Sequence, residues 1–76
     1  MSRCTYFVVY DSPLNTRSYP YGSYTAARLA LAKFIATFAR EGAMVVAHND
    51  NYANLIAHTA RGDVQFTLTI YNSMVL

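Results

Sequence analysis

The side chains in this sequence that could take part in chemistry are one cysteine, two histidines and four carboxylates. Cys4 lies in a β-branched and aromatic run, where a free cysteine usually acts as a small buried hydrophobe. His48 and His58 fall on neighbouring predicted strands and could approach each other across the hairpin between them, but two histidines without a third ligand make a poor metal site. The acidic residues are scattered over turns and a helix end. We therefore expect no enzyme, no metal and no cofactor.

Arginine and tyrosine point to binding instead. Six basic residues stand against four acidic ones for a net charge of +2, and there are seven tyrosines and no tryptophan. Arg and Tyr are enriched at the centres of protein interfaces, and the two interleaved can also contact phosphates and stack on bases. A structural alternative is that residues 19–21 fold back over the helix and extend a small core. The candidate partner-binding residues are Arg17, Tyr19, Tyr21, Arg28, Lys33, Arg40 and Tyr71.

One amphipathic helix is predicted over residues 24–41, which are rich in Ala, Leu, Arg and Lys. Ser23 or Thr25 can cap its beginning, and Gly42 stands where a left-handed residue ends a helix. The apolar positions recur at the three- and four-residue spacing of one buried stripe. They are Ala27, Leu31, Phe34, Ile35 and Phe38.

Strands are predicted on both sides of the helix. Residues 4–10 form the first, and residues 16–19 form a short edge strand or arm, because Pro20 bars a central strand there. Residues 43–48, 53–59 and 64–71 follow the helix, separated by an Asn-Asp-Asn turn and an Arg-Gly-Asp turn. The last strand alternates, with Val64, Phe66, Leu68 and Ile70 directed at the core and Gln65, Thr67, Thr69 and Tyr71 directed outward.

These elements predict a single α+β domain over residues 1–76. The helix packs on one face of a small, mostly antiparallel sheet in the order β-arm-α-β-β-β, giving two layers. The opposite face has no helix to cover it. No apolar run reaches the ~20 residues of a membrane span, and the beginning of the chain lacks the apolar region of a signal peptide. The sequence therefore predicts a cytoplasmic protein without a membrane partner.

The layout resembles that of several small phage-encoded anti-CRISPR proteins. The resemblance rests on TYFVVYD at 5–11, the polar arm, SYTAAR at 23–28 opening an Ala-rich helix, and the short strands that follow. It implies a non-catalytic inhibitor that occupies a surface of a host CRISPR effector complex and blocks it sterically. Many such inhibitors are acidic DNA mimics, whereas this chain is mildly basic. It would therefore dock on acidic or mixed protein surfaces, or touch the nucleic acid.

Two other functions stay open from the sequence. One is a small basic nucleic-acid-binding module, which would use side chains of the arm and helix, namely Arg17, Tyr19, Tyr21, Arg28, Lys33 and Arg40. The other is a homodimer, in which the last strand and the apolar tail 74–76 form an edge that pairs with a second copy. Within the inhibitor hypothesis, we expect the arm to carry the interface, so that loss of Arg17 or Tyr19 weakens binding and leaves the melting temperature nearly unchanged.

Overall fold

One helix packs on a five-stranded antiparallel sheet in a computed structural model that describes the backbone of residues 4–74 and the side chains of residues 5–72. The chain order is β-β-α-β-β-β, so the predicted α+β fold is confirmed. The predicted burial of Cys4 and the apolar character of the tail lie outside the described side chains. The elements are β1 (Cys4–Asp11), β2 (Thr16–Tyr21), α1 (Tyr24–Arg40), β3 (Met44–Asn49), β4 (Tyr52–Thr59) and β5 (Gly62–Met74).

Both ends of α1 follow the sequence signals. The Ser23 side chain accepts a hydrogen bond from the backbone N–H of Ala26 at 3.1 Å. At the other end Gly42 has φ 101°, and the N–H of Ala43 donates to the carbonyl of Phe38 at 2.9 Å. This pairing satisfies a helix carbonyl that would otherwise lack a partner, and it turns the chain directly into β3.

The sheet order is β2-β1-β5-β4-β3, which places the last strand in the middle. β5 pairs with β1 on one side and with β4 on the other. The possibility that the last strand forms an edge of the sheet is not met, because β1 pairs with residues 67–74 of β5 and β4 pairs with residues 62–69. The edges are β2 and β3. The arm is a full edge strand that includes Pro20, opposite Phe7 of β1.

The core lies between α1 and one face of the sheet. Alternate residues of β1, β4 and β5 point at the helix, as the two-residue period of strands requires. Ala27 and Leu31 are the buried helix positions, and the small side chain of Ala27 lets α1 approach the sheet closely. The fully buried apolar residues are Val8, Ala27, Leu31, Ala53, Leu55, Phe66 and Leu68.

The two histidines lie at opposite ends of the β3–β4 hairpin. His48 pairs with Ala53, five residues along β4 from His58, which pairs with Asp63 of β5. Five residues of strand span about 17 Å, and successive side chains along a strand point to opposite faces of the sheet. The expectation that the histidines approach each other is therefore wrong. His58 instead lies 2.7 Å from the Asp63 carboxylate through its Nδ1 atom.

The sheet is longer than its helix. The long axis of the described chain is 49 Å, whereas the 17 residues of α1 span about 25 Å. At the last turn of α1, the aromatic rings of Tyr10, Phe38 and Phe66 cluster at 4.8–5.9 Å between ring centres. They form the floor of a recess of about 280 Å³, and Leu14 of the β1–β2 loop lies at its rim.

Two leucines on α1 provide a matched test of this packing. Leu31 is 2% exposed and Leu29 is 66% exposed. We expect Leu31→Ala to lower the free energy of unfolding by about 2–4 kcal/mol, because it removes buried methyl groups and leaves a cavity. Leu29→Ala makes the same change in helix propensity and should alter stability by less than about 0.5 kcal/mol. Urea unfolding of both variants checks the difference, and equal losses would contradict the packing of α1.

Candidate functional site

The candidate partner-binding residues divide between the two sides of the sheet. In β2, Arg17, Tyr19 and Tyr21 pair with Tyr10, Val8 and Tyr6 of β1, so they share the helix side of the sheet with these core residues. The helix residues Arg28, Lys33 and Arg40 lie on the same side of the molecule. Tyr71 alone lies on the opposite face, across from Phe7. The seven residues therefore do not form one continuous surface.

Tyr19 and Tyr21 take part in the packing beneath α1. The Tyr19 ring lies 5.2 Å from the ring of Phe34, centre to centre, and its side chain is half-buried. Tyr21 packs against the edge of the core. Both tyrosines therefore pack from an edge strand beneath α1; residues 19–21 do not fold back over the helix, and Pro20 lies on the opposite face of the sheet. Tyr19 leaves only part of its ring available to a partner.

Arg28 joins the beginning of α1 to the β3–β4 turn. Its guanidinium lies 3.2 Å from the Asp50 carboxylate and 5.9 Å from the centre of the Tyr24 ring. The Tyr24 hydroxyl donates to the side-chain oxygen of Asn51 in the same turn. Because both charges are partly exposed, the ion pair contributes less than about 1 kcal/mol. Arg28 is thus already engaged within the chain.

Three cations on the helix side remain open to solvent. Arg17 is exposed at the edge of β2, and Lys33 and Arg40 are exposed on α1. None of the three has an ion pair within the described part of the chain. Lys33 and Arg40 are seven residues apart, which places them on one face of the helix two turns apart.

The face of the sheet away from α1, which we call the open face, carries a row of apolar and aromatic side chains. Phe7 of β1 pairs with Pro20 of β2 and with Tyr71 of β5. Two residues along β1, Val9 pairs with Thr69, and Thr69 pairs with Tyr52 of β4. Since neighbouring rows lie about 7 Å apart, these side chains form one surface. We call the five residues Phe7, Val9, Pro20, Tyr52 and Tyr71 the aromatic patch.

The rest of the open face is mainly polar and carries little charge. Gln65 donates to the side-chain oxygen of Asn54 at 2.9 Å, and Thr67 pairs with Asn54 in the strand register. Asp11 and Asp63 lie at its margins, and the Asp63 carboxylate is paired with His58. Among residues 5–72, no Lys, Arg or Glu lies on this face. Arg17, Lys33 and Arg40 are therefore on the opposite side of the molecule from the aromatic patch.

The sequence predicted the β5 side chains of the open face and missed those of β1 and β4. The outward direction of Gln65, Thr67, Thr69 and Tyr71 is confirmed by the register of β5. The members of the aromatic patch on β1 were missed because β1 is apolar at both even and odd positions, and such a run does not reveal which side the helix covers. Tyr52 was missed because the predicted strand begins one residue later, at Ala53. The paired register of three strands is needed to bring these residues together.

Other chemical features are few in the described residues. No three His, Cys, Asp or Glu residues come together there as metal ligands. No polar or charged side chain in the same part of the chain is buried. No helix described in the structure is both long and apolar enough to span a bilayer.

Comparison with known proteins adds no relative. The chain matches no family model, no curated protein and no solved structure.

The packing of β2 under α1 predicts different effects for substitutions at two of its candidate residues, Tyr19 and Arg17. Tyr19→Ala removes the contact with Phe34 and should lower the free energy of unfolding by about 1–3 kcal/mol. The earlier expectation of an unchanged melting temperature therefore does not fit Tyr19. Arg17→Ala removes an exposed side chain and should change stability by less than about 0.5 kcal/mol. Thermal unfolding measured by circular dichroism distinguishes the two variants. An unchanged melting temperature for Tyr19→Ala would contradict the packing role of this ring and would favour a role in partner binding.

Proposed function

We propose that this chain is a non-catalytic interaction protein that binds a protein partner through its open face and blocks that partner sterically. The observation that supports this function is the aromatic patch, which no element described in the structure covers. The uncovered face of an antiparallel sheet is usually polar, because it meets water. Here Phe7, Val9 and Tyr52 are half-buried by their neighbours alone, and Tyr71 is 56% exposed.

The composition of the open face suits a protein partner. Aromatic residues and Met are enriched at interface centres, while Lys and Glu are depleted. The open face carries Phe7, Tyr52 and Tyr71 together with Met44, and no Lys or Glu among its described residues. Thr, Asn and Gln side chains surround the patch and offer hydrogen bonds at its rim. The apolar side chains provide contact area with a partner, and the polar side chains at the rim orient it. The open-face side chains named here include no activated nucleophile.

The size of the open face is sufficient for recognition. Five strands about 4.8 Å apart and eight residues of about 3.4 Å each give a flat area on the order of 500 Å². A standard interface buries about 800 Å² on each partner. The open face therefore accounts for more than half of such an interface, and residues at the sheet edges would supply the rest.

The class of partner to test first is a host CRISPR effector complex. It follows from the resemblance of the layout to small phage-encoded anti-CRISPR proteins, which implies a protein that acts in the cytoplasm of a host cell. A bound chain 49 Å long would occupy a surface wide enough to exclude nucleic acid or a nuclease subunit. Inhibition of this kind requires binding alone.

Tyr71 offers the most direct test of the open face. We expect Tyr71→Ala to weaken binding to a purified effector complex at least tenfold, because exposed aromatic anchors at interface centres often cost about 2 kcal/mol or more when truncated. Leu29→Ala is the matched control, since it also shortens an exposed apolar side chain but lies on the helix side. Biolayer interferometry against a panel of effector complexes measures both. Equal affinities of the two variants, or no binding to any complex, would contradict the proposal.

A second candidate function is nucleic-acid binding by the helix side. The specific observation is that Arg17, Lys33 and Arg40 are exposed and have no ion pair in the described residues. Binding through phosphates would fall steeply as salt rises.

Fluorescence anisotropy with single- and double-stranded oligonucleotides tests this alternative. If it holds, Lys33→Ala should weaken binding to all sequences alike and reduce the salt slope by about one, while Tyr71→Ala should leave binding unchanged. Binding that does not depend on salt, or none at micromolar protein, would exclude it.

A further inference from the structure

The outer edge of β3 differs from the other edge of the sheet. β3 pairs with β4 on one side, and no strand among the described residues pairs with its other side. The opposite edge strand, β2, carries Pro20 and Arg17, which are features that discourage pairing with another chain. β3 reads MVVAHN, with no proline and no Asp, Glu, Lys or Arg. Its side chains Met44 and Val46 are 54% and 51% exposed.

A bulge gives β3 a symmetric pattern of faces. Val45 pairs with Leu55 and His48 pairs with Ala53, so both point to the helix side. Met44, Ala47 and Asn49 pair with open-face residues of β4, and Val46 is the extra residue of the bulge. The helix-side positions are thus the second from each end of the strand. Without the bulge, Val45 and His48 would lie on opposite faces.

We propose that β3 pairs antiparallel with β3 of a second copy of this chain, around a two-fold axis between Val46 and Ala47. In this register Val45 lies opposite His48 of the second copy, so the helix-side positions of the two strands meet. Met44 then lies opposite Asn49, and Val46 lies opposite Ala47. The two five-stranded sheets become one continuous sheet, with both helices on the same side.

Charge and symmetry favour a second copy over a different strand. Because β3 contains no Asp, Glu, Lys or Arg, pairing with itself sets no carboxylates, ammonium groups or guanidinium groups against each other. A two-fold arrangement also closes, so pairing through β3 stops at the dimer. The groove between α1 and β3, of about 410 Å³, lies beside the new pair and is lined by Leu31, Ala32 and Ile35.

The expected dimer is weak. Six paired residues cover about 20 Å of edge, and interfaces below about 1,200 Å² of total buried area are typically transient. We therefore expect association to appear between micromolar and millimolar protein. Val46 of the β3 edge and Tyr71 of the aromatic patch lie on different strands, so substitutions at these two residues test the dimer and the proposed partner binding independently.

Sedimentation equilibrium from about ten micromolar to one millimolar tests the pairing. The wild-type chain should rise from 8.5 kDa towards twice that mass. Val46→Lys should weaken association at least tenfold, because two lysines then meet near the axis. Leu29→Lys adds the same charge at an exposed apolar position on α1 and should associate like the wild type. A wild-type monomer at every concentration, or equal association of both lysine variants, would overturn the proposal.

A mixing experiment separates pairing at β3 from a loss of folding. Val46→Lys and Val46→Glu should each be monomeric, and their equimolar mixture should associate, because opposite charges then meet near the axis. Tyr71→Lys, which places a charge on the open face, should dimerise like the wild type. A mixture that stays monomeric, or a dimer abolished by Tyr71→Lys, would overturn the assignment to β3.

Discussion

The constraint on which this structure depends is that one helix can cover only one face of the sheet. α1 is held there by the buried pair Ala27 and Leu31, and its direction is fixed at both ends by the Ser23 cap and the Gly42 turn. A chain of 76 residues buries only about 60% of its unfolded surface, so it has little material for a second layer. The open face and the recess at the end of α1 both follow from this limit.

The same constraint separates the exposed cations from the aromatic patch. Cations on a helix and on the helix side of an edge strand remain around α1, where Arg17, Lys33 and Arg40 meet solvent. Strand alternation sends Phe7 and Tyr71 to the other side. A partner that binds the cations around α1 and a partner that binds the aromatic patch would therefore contact opposite sides of the molecule. This separation makes the protein-binding and nucleic-acid-binding hypotheses distinguishable by mutation.

Local patterns in the sequence predicted the helix and the strands, whereas pairing between distant strands determined which side chains share a surface. The helix, its caps and the alternation of β5 are encoded within a few residues, and all three were predicted. The position of β5 in the middle of the sheet depends on pairing between distant segments, as does the aromatic patch. Tyr19 illustrates the difference, because an exposed arm and an edge strand packed on Phe34 have the same local composition.

The central claim, that the open face is the partner-binding surface, is tested most directly by methyl cross-saturation in a complex with a bound effector. Val9 and Ile56 place methyl groups on the open face, whereas Leu29 and Ala36 place them on the outer side of α1. The account predicts that saturation of the partner reduces the signals of Val9 and Ile56 and leaves those of Leu29 and Ala36 unchanged. Loss of signal at Leu29 and Ala36, with Val9 and Ile56 unaffected, would contradict it.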